Sequence, residues 1–197
     1  SEVAWLRRHD QEGRALADWQ RIAHRGASGH APENTLAAFR KAVEMGVDGI
    51  EMDIRLTADD EVIVLHDASL NRTTDTTGEV SKLSLAQIRQ ADAGDGERVP
   101  TFAEALESIP TDVLAFVEIK AIEATAPAVR IVQEMDRLDQ VVIISFNADA
   151  LRLLRTLDSR MPMGLLQGGA AGTYNNASSV GLDLLHRAQA TEIGRAS

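Results

Sequence analysis

Short apolar runs alternate with stretches of helical periodicity along most of the chain. Runs at 22–24, 49–57, 113–120, 141–146, 163–167 and 180–185 read as strands. Between the first two, Leu36, Phe39 and Val43 repeat at helical spacing, with Asn34 as the predicted cap and Gly46 as the stop. That is a βαβ unit. Thr101 followed by Glu104 is a capping-box pattern, opening a helix whose apolar stripe is Phe102, Leu106 and Ile109. Two more amphipathic segments run over 126–138 and 149–157, and 81–93 reads as a short helix over the mouth of the fold. Strands alternating with helices predict an α/β protein with a parallel sheet, either doubly wound or a (β/α)8 TIM-type barrel.

One strand carries charge where its pattern predicts burial. Side chains alternate along 49–57, so Glu51 and Asp53 share one face while Ile50, Met52 and Ile54 share the other. A buried, unpaired carboxylate costs several kcal/mol unless a cation or donors compensate it. The run 61–67 is joined to this strand through Asp59-Asp60. A two-residue loop there sets Ala58 against Glu61 and Asp53 against His66, whereas a three-residue loop slips the pairing by one. His24 and Glu118 sit at the ends of two further strands. Candidates at the carboxyl ends of several strands favour the barrel, because an open sheet concentrates binding at one switch point and no G-x-G-x-x-G follows any strand.

Composition adds bounds. With 197 residues, 44% of them hydrophobic, the chain can bury one core, expected over 20–197 behind a helical extension at 1–19. Trp5, Leu6, Leu16 and Trp19 of that extension could plug the barrel bottom or an open seam. Twenty basic against thirty acidic residues leave a net charge of −10, which opposes binding to nucleic acid or anionic membranes. Cysteine is absent, which removes disulfides and thiolate chemistry. No apolar run reaches a spanning length and the start lacks a signal pattern, so no stable membrane insertion and a cytoplasmic location are expected, with a processed secreted form left open.

The strings IAHRGASGHAPENTLAAF, GVDGIEMDIRLTADDEVIVLHDASLNRTT, VPTFAEAL and FVEIK, in this order, resemble the glycerophosphodiester phosphodiesterase family over about residues 20–167. The resemblance implies a (β/α) barrel, a divalent cation, and hydrolysis of small-molecule glycerophosphodiesters to glycerol 3-phosphate and an alcohol. Residue by residue it implies His24 and His66 as an acid-base pair, here assigned as base and acid respectively, and Glu51, Asp53 and Glu118 as metal ligands. Arg25 and Lys120 would contact phosphate, and Glu33 would line the site. The residue types suit that chemistry: all-oxygen ligands favour a hard cation, Mg²⁺ or Ca²⁺, and imidazole exchanges protons near neutrality. A structural ion network of Glu51 and Asp53 with Arg25, Arg55 or Lys120 stays open as an alternative, as does mutual neutralisation of Glu118 and Lys120.

Toward the carboxyl end the resemblance fades. Six parallel strands are counted where a closed barrel has eight, so the chain is expected to be shortened there, with a homo-oligomer as one way to cover open sheet edges. Two other functions stay open: a lysophospholipase D-like phosphodiesterase, and an inactive truncated barrel that only binds.

Overall fold

The computed structural model describes residues 3–9 and 15–166. The strand expected at 180–185 and the last residue of the 163–167 run lie outside them, as do the side chains of Trp5, Leu6, Leu16 and Trp19. Among the described residues five strands form a parallel sheet: β2 (Ala15–His24), β3 (Gly49–Leu56), β5 (Leu114–Ile119), β6 (Val141–Ser145) and β7 (Met163–Leu165), adjacent in that order. The sheet is a curled half barrel with helices packed outside, which is the expected (β/α) TIM-barrel class. Ahead of it, β1 (Val3–His9) pairs antiparallel with β2. The expected helical extension over 1–19 is therefore replaced by a strand pair, 3–9 against 15–23. An edge strand presents a row of unpaired backbone groups, and β1 satisfies that row on β2.

Alternation along the strands separates two surfaces. Ile50, Met52 and Ile54 of β3, Ala115, Val117 and Ile119 of β5, and Ile143 of β6 are buried in the main core. Against them pack α1 (Leu36–Glu44), α3 (Phe102–Glu107), α4 (Thr125–Glu134) and α5 (Ala148–Leu157) through Phe39, Phe102, Val129 and Leu154. Each fully buried Phe or Leu among these contributes about 1.5–3 kcal/mol. Gly49 is required at the start of β3, since a Cβ there would lie 2.9 Å from the Phe116 ring. The capping box of α3 forms as predicted, Thr101 accepting from the Glu104 N–H and Glu104 from the Thr101 N–H. The first helix is capped one residue later than predicted, by Thr35, because Asn34 is used elsewhere.

After β3 the chain turns back as β4 (Val62–Val64), antiparallel to the upper half of β3. Val62 and Val64 face the main core, while Ile63 and Leu65 face a second, smaller one with Leu70, Val80, Ile88 and Val99. The predicted short helix over 81–93 is the single turn α2 (Leu85–Ile88) in this lobe. The β3–β4 register pairs Ile54 with Val64 and Leu56 with Val62. The loop therefore holds three residues, Ala58 to Asp60, and Leu65, not His66, lies opposite Asp53. Asp60 takes the left-handed conformation at φ 61°, which closes a three-residue hairpin loop. Among the described residues no helix is long and apolar enough to cross a membrane.

Candidate active site

Parallel register builds the floor of the site. His24 at the end of β2 is paired with Glu51, and Asp53 with Glu118 across the next strand boundary. Paired residues in adjacent strands project to the same face, so the residues opposite to the core set converge inside the curl of the sheet. Glu51, Asp53 and Glu118 each offer an oxygen within 4.8 Å of the others, and all three are buried. Burial, added to by the charge of Asp53, raises the Glu51 carboxyl well above its ordinary value. Burial likewise raises Glu118, against the ion pair it makes with Lys120.

The cations present do not satisfy this floor. Lys120 Nζ donates to Glu118 Oε1 at 2.9 Å but stays 3.7 Å from Asp53 Oδ1. Arg25 Nε lies 3.4 Å from Asp53 Oδ2, an ion pair without hydrogen-bond geometry. Among the described residues the buried Asp53 Oδ1 has no hydrogen-bond partner, a state that costs roughly 1–3 kcal/mol or more for a charged group. A hard cation bound by the three carboxylates would supply that partner, and the all-oxygen donor set fits one. The alternatives in which Arg25, Arg55 and Lys120 neutralise the acids are thus met in part: Arg55 donates instead to the His66 carbonyl.

Two imidazoles flank the acids. His24 Nε2 is 3.8 Å from Glu51 Oε2. His66 reaches the site although the register slips, because β4 ends at Val64 and His66 follows it outside the ladder. Its Nε2 lies 3.2 Å from Lys120 Nζ and its Nδ1 2.7 Å from Asp67 Oδ1. An ammonium only donates and a carboxylate only accepts, so these partners select the neutral tautomer with hydrogen on Nδ1 and a lone pair on Nε2.

The turn after β2 aims Arg25. Arg25 and Gly26 adopt φ 58° and 74°, and a Cβ on Gly26 would come within 2.8 Å of the Ala38 backbone. A non-glycine residue held there costs roughly 1–3 kcal/mol, strain typical of functional turns. The turn directs the Arg25 N–H onto Glu51 Oε2 at 2.9 Å and Arg25 Nη1 onto Glu33 Oε1 at 2.9 Å. Glu33 is held below its ordinary value first by Arg72 and then by Arg25.

Three contributors were not singled out in the sequence. Asn34, read as a helix cap, donates from Nδ2 to Asp53 Oδ2 at 2.9 Å, leaving Oδ1 for another partner. The signal was the doublet Asn34-Thr35, two capping-type residues for one cap. Asp67 sits beside His66 in the string LHD, and Arg72 is the middle residue of Asn71-Arg72-Thr73, a string of the Asn-x-Thr glycosylation type that carries no sign of a site role.

A buried acid triad from β3 and β5, flanked by two imidazoles and by the cationic side chains of Arg25 and Lys120, defines a candidate metal-assisted site on a (β/α) barrel. The glycerophosphoryl diester phosphodiesterase family profile matches residues 24–194, and the chain belongs to that family. The glycerophosphodiester phosphodiesterase of Caldanaerobacter subterraneus subsp. tengcongensis is 39% identical over 158 residues, which are 74% of this chain and 65% of that protein. The bovine glycerophosphodiester phosphodiesterase 1 is 34% identical over 158 residues, 74% of this chain and 48% of that protein. Among solved structures, a phosphodiesterase of Oleispira antarctica in complex with the product sn-glycerol-3-phosphate superposes with TM-score 0.73 at 31% identity, covering 85% of this chain and 71% of that one. A glycerophosphodiester phosphodiesterase of Agrobacterium tumefaciens gives 0.69 at 31% identity, covering 72% of this chain and 64% of that one. The chain thus spans between about half and two thirds of these curated relatives' length.

Proposed function

We propose that the chain hydrolyses glycerophosphodiesters to glycerol 3-phosphate and an alcohol with one divalent cation, Mg²⁺ or Ca²⁺, held by Glu51, Asp53 and Glu118. The observation that carries this reading is the orphaned Asp53 Oδ1 in a buried three-carboxylate cluster with a histidine on either side. The product complex of the Oleispira relative supports the substrate class. A cation bound there supplies Lewis-acid polarisation of the phosphate.

The chain's own residues supply binding and proton transfer. Arg25 and Lys120 offset phosphate charge, and Glu33 keeps the Arg25 guanidinium in place. The His66 Nε2 lone pair, released when the Lys120 ammonium turns from it to the phosphate, takes a proton from the attacking hydroxyl, which by family resemblance is the substrate's own glycerol hydroxyl. His24, with Nε2 3.8 Å from Glu51 Oε2 on the other side of the acids, gives a proton to the leaving alcohol oxygen. Water then opens the cyclic phosphate with the two roles exchanged. This order is the reverse of the sequence-based assignment, and the two hydrogen bonds on His66 are the reason.

Release of glycerol 3-phosphate from glycerophosphocholine, assayed with and without chelator, tests the proposal; full activity after chelation overturns the metal role. One observation favours the lysophospholipase D-like reading. Phe146, the first residue past β6 at the same carboxyl end, is 55% exposed and could receive an apolar chain. Faster turnover of lysophosphatidylcholine than of glycerophosphocholine, lost in Phe146→Ala, would select it.

A further inference from the structure

One strong group has no place in this scheme. Arg72, on the loop that follows β4, uses its guanidinium to bind two carboxylates from separate parts of the chain. Nε and Nη2 donate to Asp67 Oδ2 and Oδ1 at 2.7 and 3.0 Å, and Nη1 and Nη2 donate to Glu33 Oε2 and Oε1 at 3.0 and 2.8 Å. Each carboxylate is one hydrogen bond from a site residue. Asp67 Oδ1 accepts from His66 Nδ1, and Glu33 Oε1 accepts from Arg25 Nη1.

We propose that Arg72 is a positioning residue, a clamp across the site mouth that fixes the His66 tautomer through Asp67 and the Arg25 guanidinium through Glu33. Its catalytic consequence rests on the phosphodiesterase reading above; the clamp itself does not.

A single exposed ion pair contributes little, but a planar fork that grips two carboxylates at once sets their geometry as well as their charge. Of the five N–H groups on a guanidinium, these contacts occupy four. Arg72 is therefore committed to protein carboxylates and poorly placed to bind phosphate as well. Asp67 is held well below the ordinary carboxylate range by Arg72 first and His66 second, so it remains a constant acceptor for Nδ1–H. Without a fixed acceptor the two neutral tautomers of an imidazole are close in energy, and the one with hydrogen on Nε2 can accept neither from Lys120 nor from a substrate hydroxyl.

The test uses the full chain labelled with ¹⁵N-histidine, in the wild type and in Arg72→Gln, whose shorter neutral side chain suits an exposed position. At alkaline pH the His66 ring of the wild type is expected to give the pattern of an Nδ1–H imidazole, and that of Arg72→Gln a mixture of both tautomers. Turnover of glycerophosphocholine is expected to show kcat reduced by about tenfold or more, with KM changed by less. Arg72→Lys, a point charge that cannot span both carboxylates, recovers only part of the loss. In an Asp67→Asn background the Arg72→Gln change is expected to lower kcat by much less than it does in the wild type, because only the arm through Glu33 to Arg25 is left for it to remove. An unaltered His66 tautomer in Arg72→Gln overturns the clamp, as does a KM that rises with kcat intact, which would make Arg72 a substrate ligand. A tautomer shift in a chain that turns over no glycerophosphodiester keeps the clamp and removes the activity.

Discussion

The floor and the rim of the site are built from the same kind of side chain, the carboxylate, to opposite ends. On the floor, burial raises Glu51 and Glu118, and an oxygen of Asp53 has no donor among the described residues. At the rim, Glu33 and Asp67 are held down by Arg72, with every bond short and both partners of each used. An unsatisfied cluster stores free energy that only a ligand can recover, whereas a satisfied one resists displacement. The floor is thus suited to bind a cation, and the rim to keep His66 and Arg25 where they are.

The largest effects belong to the floor. Asp53→Asn removes the central carboxylate, and cation affinity read by isothermal titration calorimetry should fall by ~100-fold or more, with turnover lost alongside it. Glu51→Gln separates binding from stability, because the amide keeps an oxygen for the Arg25 N–H while losing the charge. Its thermal midpoint in chelator at pH 8 should rise above the wild type, and the further rise on adding Mg²⁺ should shrink. A lower midpoint in chelator would mean that the floor carboxylates stabilise the empty fold, and the contrast with the rim would fail.

The histidines should break the comparison in a different way. His24→Ala and His66→Ala are each expected to reduce turnover by about 10²–10⁴-fold while cation affinity stays near that of the wild type. Equal loss of binding in both would make them ligands, and the floor would then extend to five residues.

Smaller, and between floor and rim, is Asn34. Its backbone has φ 58°, so Asn34→Gly keeps a conformation glycine adopts freely and deletes only the amide that orients Asp53. Cation affinity should drop by about 10–100-fold without loss of the folded state by circular dichroism. Unchanged affinity would show that strand register alone orients Asp53.

Much of the floor was legible because it follows from alternation and strand order. Glu51 and Asp53 had to share a face, and Glu118 ends the next parallel strand of the sheet. The rim was not legible, since it depends on where a loop returns. The two-residue turn expected at Asp59-Asp60 is a three-residue one, and only the early end of β4 brings His66 back to Lys120. Arg72 meets Glu33 across 39 residues of sequence, a contact that no local pattern encodes. Asn34 was misread for a related reason: capping propensity could not tell which of two adjacent candidates the tertiary fold would claim. The pairing of 3–9 with 15–23 was missed because backbone pairing to a sheet edge leaves little mark on side-chain periodicity.

The mildest test reads the same contrast through pH. Glu51 and Glu118 have raised values in the folded chain, so between the ordinary carboxylate range and those values the folded state binds more protons than the unfolded one. Stability without cation should therefore fall as pH rises through that window. Glu33 and Asp67 have lowered values, so their contribution is present above the ordinary carboxylate range and is lost as pH falls toward the lowered ones. Thermal midpoints in chelator should then peak in mild acid and decline on both sides. Saturating Mg²⁺ should flatten the alkaline decline alone, because it competes with protons for the floor, and Arg72→Gln should soften the acidic decline alone, because it removes the partner that holds the rim carboxylates ionised. A Mg²⁺ effect on the acidic limb, or an Arg72 effect on the alkaline one, would mean that floor and rim are one electrostatic unit.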